Sequence, residues 1–216
     1  MTKQVVSKKR VADHGEVYTQ EREVNAMLDL VKQETQRIES RFLEPACGTG
    51  NFLIEILRRK LEVVASRYRK SQVEYERYAF LAVSSLYGID ILQDNIDTCR
   101  QRLLGLVKEQ YTGLFKTKAK NEFLAAIQKV LSLNILWGDA LILQTPGEPS
   151  EPIVFPEWSP VNSSLIKRRD FVFAELVSHA SLSELPLFSD LGEDVFIPQP
   201  VKDYPPVHFL RIADAD

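Results

Sequence analysis

The stretch from Arg41 to Leu61, RFLEPACGTGNFLIEILRRKL, decides the fold. A short β-type run, Arg41 to Leu43, ends at Glu44. Gly48 and Gly50 then permit a tight turn and close backbone approach, and Phe52, Leu53, Ile56, Leu57, Leu61 and Val64 recur at helical spacing. A strand, a glycine turn and a helix N-terminus in that order form a cradle for a ligand, although two glycines also suit a plain turn. GxGxxG is absent, because Leu53 stands three places after Gly50, so a dinucleotide pyrophosphate site is not the reading.

Outward from this unit the pattern repeats. Leu86 to Ile89 and Ile135 to Trp137 are further β-type runs, followed by Asp90 and by Gly138 and Asp139. Val24, Met27, Leu28 and Val31, and later Phe123, Leu124, Ile127, Val130 and Leu131, are spaced as helix faces. Strands alternating with helices predict βαβ units and a parallel sheet with right-handed crossovers. The expected order has Arg41 to Leu43 as the central strand, Leu86 to Ile89 beside it and Ile135 to Trp137 next outward. The charged segment Arg67 to Tyr78 reads as a helical insertion. Ligands of such sheets bind beyond the carboxyl ends of the strands, where the acidic residues fall.

All prolines except Pro45 lie at or after Pro146. We therefore divide the chain into a ligand-binding α/β domain over 1–145 and a Pro-rich, loop-dominated extension over 146–216. The extension holds weak strand candidates at Pro152 to Phe155, Phe171 to Phe173, Val195 to Ile197 and His208 to Arg211.

The 216 residues are 44% hydrophobic and 26% charged, as in folded proteins rather than disordered or collagenous ones. Lys and Arg number 27 against 30 Asp and Glu, a net charge of −3, which excludes a protein that coats nucleic acid by bulk charge. Basic clusters at Lys8, Lys9 and Arg10, at Arg58, Arg59 and Lys60, and at Lys167, Arg168 and Arg169 suit solvated faces and permit phosphate contact. Cys47 and Cys99 lack CxxC spacing and His14, His179 and His208 are scattered, so neither a disulfide framework nor a metal site is expected. No run approaches the ~18 apolar residues of a membrane span, and the expected location is the cytoplasm.

LEPACGTGNFL resembles motif I of the S-adenosylmethionine-dependent DNA adenine-N6 methyltransferases of restriction-modification systems. Three more segments follow that family's order. GEVYTQEREVNAMLDLV, Gly15 to Val31, looks like motif X, LYGIDIL, Leu86 to Leu92, like motif II, and NILWGDAL, Asn134 to Leu141, like motif III. The resemblance implies a Rossmann-like methyltransferase fold with a central parallel sheet, incomplete or ending in an irregular Pro-rich part, and S-adenosylmethionine as cofactor. It carries cofactor binding to Glu44, Pro45, Ala46, Gly48, Gly50 and Asn51 in motif I. In motif X it implies Thr19 beside the methionine carboxylate. In motif II it implies Asp90 on the ribose hydroxyls and Ile91 on the adenine ring. In motif III it implies Asp139 accepting from the exocyclic amine, with Ala140 next to it. No metal is implied. Without the resemblance, Thr19 and Asp90 also suit helix N-caps, and Gly138 and Asp139 a plain turn.

The family's catalytic (Asn/Asp)-Pro-Pro-(Tyr/Phe) tetrapeptide is not found, so no catalytic residue is assigned. Asp203, Tyr204, Pro205 and Pro206 have the wrong order and read as a surface turn. Trp158 and Asn162 bring an aromatic and an amide together without informative spacing. The stretch after Leu141 is too short for the rest of such a sheet and a target-recognition domain. The expectation is a methyltransferase-like chain that reaches DNA through a partner, such as a restriction or specificity subunit, or a larger assembly. The alternatives are a non-catalytic cofactor-binding subunit or remnant, and a methyltransferase acting on RNA, protein or a small molecule.

Overall fold

The computed structural model describes Arg10 and residues 19–183 and 198–215, with backbone only over 179–183. It is a mixed α/β structure built on a three-stranded parallel sheet, β1 (Phe42–Glu44), β2 (Leu86–Asp90) and β3 (Ile135–Trp137), in the order β1-β2-β3. The expected adjacency holds, with one correction. Among the described residues β2 is the middle strand and β1 lies at an edge, its only pairing being with β2. All five residues of β2 are buried, as a strand covered on both faces requires.

Two helices, α1 (Glu21–Leu30) and the short α2 (Lys32–Thr35), precede β1. In α1, Val24 and Leu28 turn inward, whereas Met27 and the C-cap residue Val31 stay exposed. Between β1 and β2 run α3 (Asn51–Tyr68) and α4 (Gln72–Ser84), so the segment read as an insertion is a helix pair broken at 69–71. Ser71 caps α4 by accepting from the Glu74 N–H. Between β2 and β3 run α5 (Gln93–Phe115) and α6 (Asn121–Asn134). Leu53, Leu57, Leu61 and Val64 line one face of α3 and are fully buried, each stabilising the fold by about 1.5–3 kcal/mol. They share a core with Leu86 of β2 and with Phe123, Ile127 and Val130 of α6.

Strand alternation sends Tyr87 and Ile89 to the opposite face, where they meet Ile153 and Phe155. These partners come from the stretch expected to be loop-dominated. It instead holds the two longest strands among the described residues, β4 (Val154–Pro160) and β5 (Leu165–Val172), an antiparallel pair. Helix α7 (Phe173–Ser183), the two-residue strands β6 (Lys202–Asp203) and β7 (Val207–His208), both paired to β5, and a 3-10 turn (Phe209–Asp214) complete it. Trp158, Ile166, Phe209 and Ile212 are buried in the helix-side core, so this stretch packs into the α/β unit. Prolines conceal the strands because Pro156 and Pro160 sit within β4, which β5 pairs on one side. The run His208 to Arg211 is mostly the 3-10 turn, and Val195 to Ile197, with His14, Lys8 and Lys9, lies outside the described residues.

Candidate functional site

The carboxyl ends of the three strands are stitched into one edge by backbone bonds. The Cys47 N–H donates to Ile89 O at 2.8 Å and the Gly138 N–H to Asp90 O at 3.0 Å. Gly48 and Gly50 take φ of 52° and 84°, the left-handed region that glycine adopts without strain. Gly50 is the N-cap of α3. A Cβ at Gly50 would stand 2.5 Å from Cys99 Sγ, so glycine is required there by the approach of α5 from within. At Gly138 a Cβ would stand 2.7 Å from Ile153 Cδ1.

Asp90, almost buried, is the hub of this edge. Its Oδ2 accepts from the Gly48 N–H at 2.8 Å, and its Oδ1 from the Leu92 N–H at 2.9 Å and from Asn95 Nδ2 at 3.2 Å. Of the roughly four acceptor positions of a carboxylate, three are used by the protein. Asp139 closes a turn by exchanging backbone bonds with Gln144, and its Oδ1 accepts from the Leu141 N–H at 2.8 Å. The Asp139 Oδ2 keeps its acceptor capacity among the described residues. Ile91 is about half exposed, and its carbonyl accepts from the Trp137 indole at 2.9 Å.

Glu44 ends β1 half-buried. Burial pushes its carboxyl above the usual carboxylate range, while the Ala46 N–H pulls the other way. Pro45 leads from β1 into the turn. Asn51 joins two segments, donating through Nδ2 to Thr19 O at 3.2 Å and accepting from Arg102 at 2.9 Å. Thr19 is thereby seated at the glycine turn. The helix cap falls one residue later, at Gln20, whose N–H donates to Glu23. Ala140 packs against the Tyr87 and Ile89 cluster.

The sequence-predicted residues therefore converge on one edge, with the carboxylates of Asp90 and Asp139 committed in part to holding the loops. Residues not singled out complete the edge. Asn95, Cys99 and Arg102 lie on one face of α5, at i, i+4 and i+7, a spacing that acquires meaning only once α5 is known to cross the glycine turn. Arg102 also donates to Thr49 O at 2.6 Å. Arg10 pairs with Asp94 at 2.5 Å and donates to Asn95 at 3.2 Å, holding the Asp94 carboxyl below the usual range. The Cys47 thiol is pushed far up, first by its hydrogen bond with the Cys99 thiol and then by burial, so Cys47 is an unreactive packing group, and Cys99 is buried beside it.

The basic clusters are engaged elsewhere. Lys60 is buried, donating to Ile38 O, Ser40 O and Ser85 Oγ, and Arg59 pairs with Glu55 and Asp29. Lys167, Arg168 and Arg169 pair with Asp203, Asp170 and Glu157. Trp158 is a core side chain whose indole donates to Asn134, and Asn162 Oδ1 accepts from the Ser164 and Leu165 N–H groups of the β4–β5 turn. The Asp203 to Pro206 string joins β6 to β7, with Tyr204 under the Arg168 guanidinium.

Among the described residues no group of His, Cys, Asp and Glu is arranged to hold a metal ion, and no helix is long and apolar enough to cross a membrane. In comparisons with known proteins no family model matches the chain, and no curated protein or solved structure matches it.

Proposed function

We propose that the chain is the cofactor-binding part of an S-adenosylmethionine-dependent methyltransferase with a Rossmann-like fold, acting on adenine N6 in DNA within a restriction-modification or related DNA-defence system. The observation that carries the reading is the meeting of Gly48, Gly50, Asp90 and Asp139 at the carboxyl edge of one parallel sheet, where α/β folds hold nucleotide-like ligands.

The residues present fit that group. The glycine turn leaves backbone approach open, Ile91 offers an exposed apolar surface for an adenine ring, and Asp139 Oδ2 is an acceptor for its amine. Asp90 has acceptor capacity left for ribose, and the first N–H groups of α3 with Thr19 suit a carboxylate. When bound, the cofactor supplies an activated methyl group for in-line transfer. The chain's own residues bind and orient it, and misplacement by about 1 Å can cost ~100-fold in rate.

The absence of an (Asn/Asp)-Pro-Pro-(Tyr/Phe) tetrapeptide favours a second reading, a subunit that binds cofactor while a partner supplies the base pocket. Calorimetry with S-adenosylmethionine tests the shared core of both readings, and Asp139→Ala is expected to weaken binding at least threefold. No binding at millimolar cofactor sinks both. Methyl transfer by the purified chain to DNA containing every short recognition sequence separates them. Robust site-specific N6-methyladenine excludes the partner requirement.

A further inference from the structure

A groove lies away from the glycine turn, along the open edge of β1. It encloses about 430 Å³ between the parallel sheet and the β4–β5 ribbon, with Leu43, Tyr87, Phe155, Phe171 and Phe173 as its apolar wall. The Phe42 N–H donates to Ser85 O at 2.9 Å on the β2 side. Strand alternation therefore directs the N–H and C=O of Leu43 outward, where no strand among the described residues meets them. Leu43 is 41% exposed. Parallel sheets seldom leave an apolar edge open, because an unpaired edge is a template for another strand.

The rim adds a charge requirement. Glu157 accepts from Arg41 at 3.0 Å and from Arg169 at 2.5 Å, so two guanidinium groups share one carboxylate and, among the described residues, the rim carries one positive charge in excess. Burial raises the Glu157 carboxyl, but the two arginines prevail and hold it below the usual range. Among the described residues no hydrogen-bond acceptor meets the buried Arg169 Nε, so this guanidinium is only partly satisfied by Glu157.

We propose that the β1 edge receives one extended strand of a partner polypeptide, with apolar side chains at alternate positions and a carboxylate that reaches Arg169. The main chain would bond to Leu43, the apolar side chains would enter the groove, and the carboxylate would complete the rim. A second copy of this chain fits poorly, because it would bring an equally positive rim. The inference stands apart from the cofactor reading, since the groove and the glycine turn share no residue.

The probe is a panel of twelve-residue synthetic peptides that alternate Val with Thr and carry one Asp stepped along the sequence. Parallel panels replace Asp by Asn or Lys, or N-methylate alternate backbone amides. Hydrogen exchange on the free chain should show the Leu43 amide exchanging much faster than those of Phe42 and Glu44, and slowing at least tenfold with the best Asp peptide. That peptide should bind at least tenfold more tightly than its Asn and Lys counterparts, and Arg169→Gln should erase the difference. Backbone methylation should abolish binding. Leu43→Pro, which removes the outward N–H at an edge that tolerates proline, should weaken it at least tenfold, and Leu43→Lys is the second variant if the first melts early. A Leu43 amide already protected in the free chain overturns the proposal. So does binding indifferent to backbone methylation, which marks a pocket for a small apolar ligand, or a dimer broken by Leu43→Lys, which marks self-association. No binding by any peptide at millimolar concentration also overturns it.

Discussion

Cys99 lies directly beneath Gly50, with its Sγ 2.5 Å from the position a Cβ on that glycine would occupy. The glycine turn is therefore shaped from inside by α5. Gly50→Ala combines a side chain in the left-handed region with a steric clash, and about 2–4 kcal/mol of destabilisation is expected. Adding Cys99→Ala should recover the clash component alone. Urea denaturation of the two single variants and the double variant measures the coupling; strict additivity would contradict the contact.

Asp90 binds its own protein before any ligand. Asp90→Ala should destabilise the free chain by about 2–4 kcal/mol, because the Gly48 and Leu92 N–H groups lose a charged acceptor. Asp90→Asn should lose about half as much. A residue that served a ribose alone would leave the free chain's denaturation midpoint unchanged.

Lys60 gives stability a pH dependence. Burial lowers its amine from 10.5 to about 7, against the smaller pull of Glu39 and Glu34. Above pH 7 the folded chain releases this proton while the unfolded chain keeps it up to the free lysine value, so stability should rise between about pH 7 and 10. Tyr87 and Tyr111, raised by burial to about 12, act in the opposite direction. Unfolded tyrosines ionise near pH 10 while these two stay protonated, so stability should fall beyond that point. Denaturant midpoints across pH 6–11 follow both limbs, and Lys60→Met should remove the rising one.

Asn134 ties the C-terminal stretch to the parallel sheet. Its Nδ2 donates to Ser84 O and Leu86 O, and its Oδ1 accepts from the Trp158 indole at 2.9 Å. Asn134→Leu should cost about 3 kcal/mol or more, because three buried polar groups lose partners. Trp158→Phe should cost less, keeping the edge contact with Phe80 while orphaning one oxygen. Thermal melts of both, followed by far-ultraviolet circular dichroism, give the order.

The sequence by itself determined the three parallel strands, their adjacency, the glycine turn after Glu44 and the carboxylates at the strand ends. Each of these is written in local spacing, because apolar periodicity and glycine act over a few residues. The tertiary structure alone decided that β1 is an edge, that Gly50 yields to Cys99, and that Asp90 spends its carboxylate on Gly48, Leu92 and Asn95. It also decided that Lys60, in a basic run, lies under the carbonyls of Ile38 and Ser40, and that Pro156 and Pro160 belong to a strand. These outcomes depend on which distant surfaces meet. A basic residue beside two arginines carries the same local signal whether it faces water or three buried acceptors, and a proline reads as a strand breaker until the pairing leaves its nitrogen on the free side.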